Sequence, residues 1–241
     1  MKRMHWMVFW IAALTLSSPL APDAATAQTF SMSASADLDG DGKMEKITLQ
    51  PIADDASRYR LSVDSASVEG KLGDEVDGLQ VIDIDTRDRF REVAVHTEGS
   101  SSDDEYRIYG FDGSRLYEMG CLVRWPKFQG NGIVLVDDWR GFWSQRDKYV
   151  LTADRRLGLV PQDMHAVSIS ARVEKSFPIY RTPGSAAVVA NLMAGSEIQL
   201  LVAKVEGASG RWYMVKSSTN LIGWAHEDTI FANLSGLPIA D

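Results

Sequence analysis

An acidic turn running directly into an alternating strand occurs twice in this chain, with the first carboxylates of the two copies, Asp37 and Asp83, 46 residues apart. The first copy reads Asp37-Leu38-Asp39-Gly40-Asp41-Gly42-Lys43-Met44-Glu45 and continues into Ile47-Thr48-Leu49. The second has Asp83, Asp85, Asp88 and Glu92 in the same order, followed by Val93-Ala94-Val95. Alternating apolar and polar residues mark a strand with one face toward a core. A turn-and-strand unit of this size cannot bury its apolar face alone, so neighbouring units must pack together. Two or three such units make blade-like hairpin repeats but not a closed propeller, which takes at least four blades.

The rest of the chain agrees with this reading. Strand-like alternation recurs at Tyr59–Val63, Tyr106–Phe111, Gly132–Val136 and Lys148–Leu151, and the turn dipeptides Asp112-Gly113 and Asn131-Gly132 suit tight hairpins. No long amphipathic helix stands out. The expected fold is all-β.

Alternate acids on a glycine-pinned loop curl several oxygens around one point, which is what a hard cation such as calcium requires. The D-x-D-x-D-G order matches the first half of an EF-hand. However, position 12, where an EF-hand needs a bidentate Glu, is Thr48, and a strand follows in place of a helix. The loop-then-strand order resembles the calcium motif of FG-GAP or VCBS repeats. That resemblance implies ligands from Asp37, Asp39, Asp41 and Glu45, with the carbonyl of Lys43 between them. The alternative is an acidic turn with no ion. In the second loop Arg89 stands in place of the glycine. Arg87, Arg89 and Arg91 can neutralise Asp83, Asp85, Asp88 and Glu92 without metal, so the structural reading is preferred there to a second calcium site.

Residues 1–27 have the form of an export leader: Lys2 and Arg3, an apolar run from Trp6 to Leu16, and Ala25-Thr26-Ala27 at the cleavage position. The remainder has no apolar run long enough to span a bilayer, so a soluble, periplasmic or extracellular chain is expected. Calcium is plentiful in those compartments. The single cysteine, Cys121, can form no internal disulfide, and its apolar strand setting predicts a buried, inert thiol. The formal net charge of −8 argues against a nucleic-acid partner and against simple electrostatic attraction to anionic lipid or wall polymers.

Two segments between the strands call for structural readings. The polar run from Thr97 to Glu105 predicts an exposed loop. Trp139, Phe142 and Trp143, set around Gly141, are read as aromatics buried beneath a hairpin in preference to a sugar-stacking platform. Together these elements make residues 28–164 a β-rich repeat domain.

The pattern changes over residues 165–234, where five short strands suggest a small barrel, followed by a tail at 235–241. Leu192 to Gly195, Ile198 to Leu200, Trp212-Tyr213-Met214-Val215 and Gly223-Trp224-Ala225 follow one another in the order that resembles a bacterial SH3-like (SH3b) domain. The opening Phe177-Pro178-Ile179-Tyr180 departs from that family's usual form. The resemblance implies an aromatic groove for extended peptide, with Tyr180, Trp212, Tyr213 and Trp224 as its candidates. Trp212 and Trp224 equally suit the core that so small a domain needs. Taken together, these features also resemble exported bacterial SH3-domain proteins.

Only His96, His165 and His226 follow the leader, with no H-E-x-x-H or G-x-S-x-G motif. The expectation is a non-catalytic, calcium-stabilised binding module that recognises cell-envelope polymer or peptide. A periplasmic protein-interaction factor and a wall hydrolase using paired carboxylates stand as alternatives.

Overall fold

The computed structural model describes residues 29–99, 103–206 and 210–238, so the expected leader at 1–27 lies outside the described residues. The protein is all-β. Three four-stranded antiparallel sheets are followed by a seven-stranded curled half-barrel sheet, with one short helix among the described residues. None of the described helices is long and apolar enough to cross a membrane.

The first sheet is a meander of β1 (Ser33–Ala36), β2 (Glu45–Ile52), β3 (Asp55–Val63) and β4 (Ala66–Lys71). The second repeats this plan with β5 (Gly78–Ile82), β6 (Glu92–Thr97), β7 (Glu105–Phe111) and β8 (Leu116–Val123). The third does so with β9 (Trp125–Phe128), β10 (Ile133–Trp139), β11 (Ser144–Leu151) and β12 (Leu157–Val160). Strict alternation in β2 and β3 places Ile47, Leu49, Tyr59, Leu61 and Val63 on one face. They share a core there with Leu79, Val93, Val95, Tyr109 and Phe111 of the second sheet. Ala94, Tyr106, Ile108 and Met119 leave the other face of the second sheet to meet Val134 and Val136 of the third. The middle sheet is therefore buried on both sides, and all six residues of β6 are inaccessible.

The loops joining the first two strands of each sheet lie side by side and bond through their backbones. The Arg91 N–H donates to the Leu38 carbonyl at 3.0 Å, the Thr86 N–H to Gly130 at 3.0 Å, and the Gly132 N–H to Ile84 at 2.8 Å. Gly40, at φ +73°, lies where a Cβ would come within 2.5 Å of the Arg89 Cβ, so both its conformation and its neighbour require glycine. The third loop, Gln129-Gly130-Asn131-Gly132, begins another 46 residues beyond Asp83 but carries no carboxylate.

The half-barrel comprises β13 (Met164–Val173), β14 (Phe177–Tyr180), β15 (Val188–Leu192), β16 (Glu197–Val205), β17 (Arg211–Ser217), β18 (Ile222–His226) and β19 (Leu234–Ser235). Its spatial order is β15-β14-β18-β17-β16-β13-β19, and α1 (Glu227–Asn233) precedes the last strand. Its core takes in Phe142 and Trp143 from the turn between β10 and β11. The Trp143 indole N–H donates to the Tyr213 hydroxyl at 3.1 Å, and Phe142 lies against Tyr213 and Phe231.

Three local expectations change. Thr97 ends β6 and Glu105 begins β7, and Asp104 is buried because its carboxylate faces the His96 imidazole at 3.3 Å. Cys121 is exposed because its side chain lies on the polar face of β8, where its thiol donates to Glu105; partial burial and that carboxylate push it up to about 12. Phe142 and Trp143 are buried as expected, whereas Trp139 is 43% exposed.

Phe142 is wholly inaccessible within the half-barrel core. Phe142→Ala should cost about 3–5 kcal/mol in unfolding free energy through lost transfer and the cavity left behind. Denaturant titration measures this; a loss below about 1 kcal/mol would mean that the hairpin is not part of that core.

Candidate metal centre

The turn between β1 and β2 is built by its own carboxylates. Asp37 accepts from the N–H groups of Gly40 at 2.8 Å and Gly42 at 3.0 Å, Asp39 from that of Asp41 at 3.0 Å, and Asp41 from that of Lys43 at 2.8 Å. Such side-chain-to-backbone bonds replace the ladder bonds a turn cannot make. Leu38, fully buried, anchors the loop to the core, and its N–H donates to the buried Glu45 carboxylate at 2.7 Å.

One oxygen from each of Asp37, Asp39, Asp41 and Glu45 lies within 4.8 Å of the others. Backbone bonds consume only part of the acceptor capacity of each carboxylate, leaving lone pairs for a cation. An all-oxygen donor set of this kind suits a hard divalent ion, and four anions in so small a space repel one another without one. The Lys43 ammonium lies 2.8 Å from Asp41, and its hydrogen bond holds that carboxyl below the usual range. The Lys43 side chain is thus an exposed counter-charge for one acid of the four. Gly113, in the turn between β7 and β8, packs against the same loop; a Cβ there would stand 2.6 Å from Asp39 Oδ2.

The second loop, between β5 and β6, uses the same frame with different charges. Glu92 accepts from the buried Ile84 N–H at 3.1 Å, as Glu45 does from Leu38. Asp85 is held bidentately by Arg87, with both contacts at 2.7 Å, and Asp83 lies 4.0 Å from Arg91. Arg155, reaching in from the turn between β11 and β12, contacts Asp88 and Glu92 at 2.7 Å each and stacks over the Phe90 ring. A guanidinium therefore lies between the third and fourth acids of this loop. Arg89 instead lies over Phe90 and against Gly40. Among the described residues, the first loop alone gathers three or more potential ligands around one point.

Burial pushes the Glu92 carboxyl up to about 7, against the Ile84 N–H and the Arg155 charge, which favour its ionised form. Sequence reasoning anticipated arginines at this loop but not Arg155. It lies 63 residues beyond Glu92 in an ordinary turn, so only the packing of the third sheet on the second brings it there.

The four candidate groove aromatics do not share one environment. Tyr213 is wholly buried and Trp224 nearly so, whereas Tyr180 and Trp212 are half-buried. Tyr180 pairs across strands with Trp224, and Trp212 stands edge-on to His226. Tyr213 has no surface to offer a ligand because its ring fills the half-barrel core. A cleft of about 600 Å³ opens elsewhere on the half-barrel, lined by Ser170, Arg172, Glu197, Gln199, Lys216 and Asn220 among others, and none of the four aromatics borders it.

No protein-family model matches the chain, and no significant match is found among curated proteins or solved structures.

Arg155→Met would leave Glu92 buried without its counter-charge. The native Glu92 carboxyl holds its proton more tightly than an unfolded one, whose value is near 4.5. Its contribution is therefore present below that value and lost as pH rises through about 7. The substitution should cost about 3–5 kcal/mol at pH 8 and distinctly less at pH 5. Equal losses in denaturant titrations at the two pH values would show that Arg155 acts through Asp88 and Phe90 and not as the counter-charge of Glu92.

Proposed function

We propose that this protein is an exported, non-catalytic binding module in which calcium orders the turn between β1 and β2, and in which the half-barrel recognises cell-envelope polymer or peptide. The carrying observation is the convergence of Asp37, Asp39, Asp41 and Glu45 within 4.8 Å at the entrance to a strand. Calcium fits such a site better than magnesium, which demands near-ideal octahedral geometry and keeps several waters. The likeness to the FG-GAP or VCBS loop supports the same ion, with the Lys43 carbonyl as a further ligand.

The role of the ion is structural. Glu45 ties the loop to β2 through Leu38, so a cation that relieves repulsion among the four acids also steadies the first sheet. Export is supported by the leader-like sequence at 1–27. The SH3-like order of motifs and the half-barrel sheet support a recognition module, with Tyr180 and Trp212 as the half-buried aromatics still able to meet a ligand.

Calcium at about ten times its dissociation constant should stabilise the fold by about 1.4 kcal/mol. Thermal melts with and without calcium should differ accordingly, and Asp39→Ala should abolish the difference. A melting curve indifferent to both calcium and chelator would refute the ion. Sedimentation with purified peptidoglycan tests the recognition half: the wild type should co-sediment, and a Tyr180→Ala/Trp212→Ala double variant should remain in solution.

A further inference from the structure

The two outermost faces of the three-sheet stack differ in kind. The outward face of the first sheet is polar throughout: Lys46, Thr48 and Gln50 on β2, Arg58, Arg60 and Ser62 on β3, with Glu69 of β4 paired to both arginines. Such a surface is what the end of a stack needs in water. The outward face of the third sheet carries exposed tryptophans, Trp125 at 54% and Trp139 at 43%. Half-buried Ile133 and Leu135 of β10 and Val150 of β11 extend the apolar area.

Strand register shows how these groups are laid out. Trp125 stands directly opposite Asp137, and Trp139 lies two residues further along β10 on the same face, placing the two indoles diagonally across the sheet. Asp137 lies beside them, held by Arg146 at 2.6 and 2.9 Å and by Lys127 at 2.9 Å. Lys148, opposite Leu135, adds another cation on the same face. Three cations against one carboxylate make this face positive within a chain of net charge −8. The Lys127 and Arg146 side chains are each more than half exposed, and both retain N–H donors beyond those given to Asp137. A cavity of about 330 Å³ adjoins the Asp137–Arg146 pair, bordered by Gln162, Met164 and His165.

We propose that the outward face of the third sheet binds an acidic polysaccharide, with Trp125 and Trp139 stacking on sugar rings and Lys127, Arg146 and Lys148 meeting the carboxylates or other anionic groups. Flat indoles match the C–H faces of pyranose rings, and clustered donors around a fixed carboxylate match hydroxyls and acid groups. A peptide strand fits less well. It would add to a free edge, β9 or β12, and lie beside the sheet, whereas the indoles and cations project from its face. A second copy packed face to face on a two-fold axis would bring the same cations together. The site is separate from the half-barrel groove and from the acidic loop, so it stands or falls independently of the calcium reading.

The test is a titration of the full chain with hyaluronan oligosaccharides in calcium-containing buffer, following tryptophan fluorescence. Saturable binding should weaken by about tenfold or more in Trp125→Ala/Trp139→Ala and in Lys127→Ala. It should also weaken as salt rises, and persist in Tyr180→Ala/Trp212→Ala. Both tryptophans are exposed, so the melting temperature of the double variant should stay close to that of the wild type and separate lost binding from lost folding. Undiminished binding in the Trp125→Ala/Trp139→Ala chain would overturn the proposal. So would tighter binding of poly-glutamate than of the glycan, or a dimer in light scattering that dissociates on these substitutions.

Discussion

A buried glutamate at the start of the second strand, bonded to a backbone N–H of the preceding loop, is the contact on which the arrangement of the first two sheets depends. Glu45 holds Leu38 in this way and Glu92 holds Ile84. Each bond fixes an apolar side chain beneath its loop, and both side chains are wholly inaccessible. Withdrawing a carboxylate from water is costly, and a charged acceptor facing a backbone donor offsets part of that cost. Both loops also become rigid enough to bond to their neighbours in the stack.

What differs between the loops is how their negative charge is balanced. In the first, Asp37, Asp39, Asp41 and Glu45 converge with an exposed lysine paired to Asp41 and Arg89 packed against Gly40, and Gly113 of the next sheet approaches without a side chain. In the second, Arg155 arrives from the next sheet and bridges Asp88 and Glu92, while Arg87 grips Asp85. One frame thus carries two electrostatic solutions: an oxygen cage suited to a mobile cation, and a cage filled by a guanidinium of the chain itself. The third loop, with Gly130 and Asn131, has no charge to balance.

The third sheet is the hinge of the architecture. Its inner face closes the second core, and its β10–β11 turn supplies Phe142 and Trp143 to the half-barrel. Its outer face meets solvent with two tryptophans and a cationic cluster, unlike the polar outer face of the first sheet.

The sequence alone was enough to read the all-β class, the acidic loop-and-strand repeat, the Asp112-Gly113 and Asn131-Gly132 hairpins and the candidate ligands Asp37, Asp39, Asp41 and Glu45. All of these are local: period-two alternation, turn chemistry and ligand spacing act within about a dozen residues. Tertiary structure decided what depends on distant strands meeting. It brought Arg155 to Glu92, buried Asp104 against His96, left Cys121 and Trp139 at the surface, and placed Tyr213 in a core shared with Trp143. A side chain's charge partner and exposure are set by which sheet faces which, and no spacing along the chain encodes that contact.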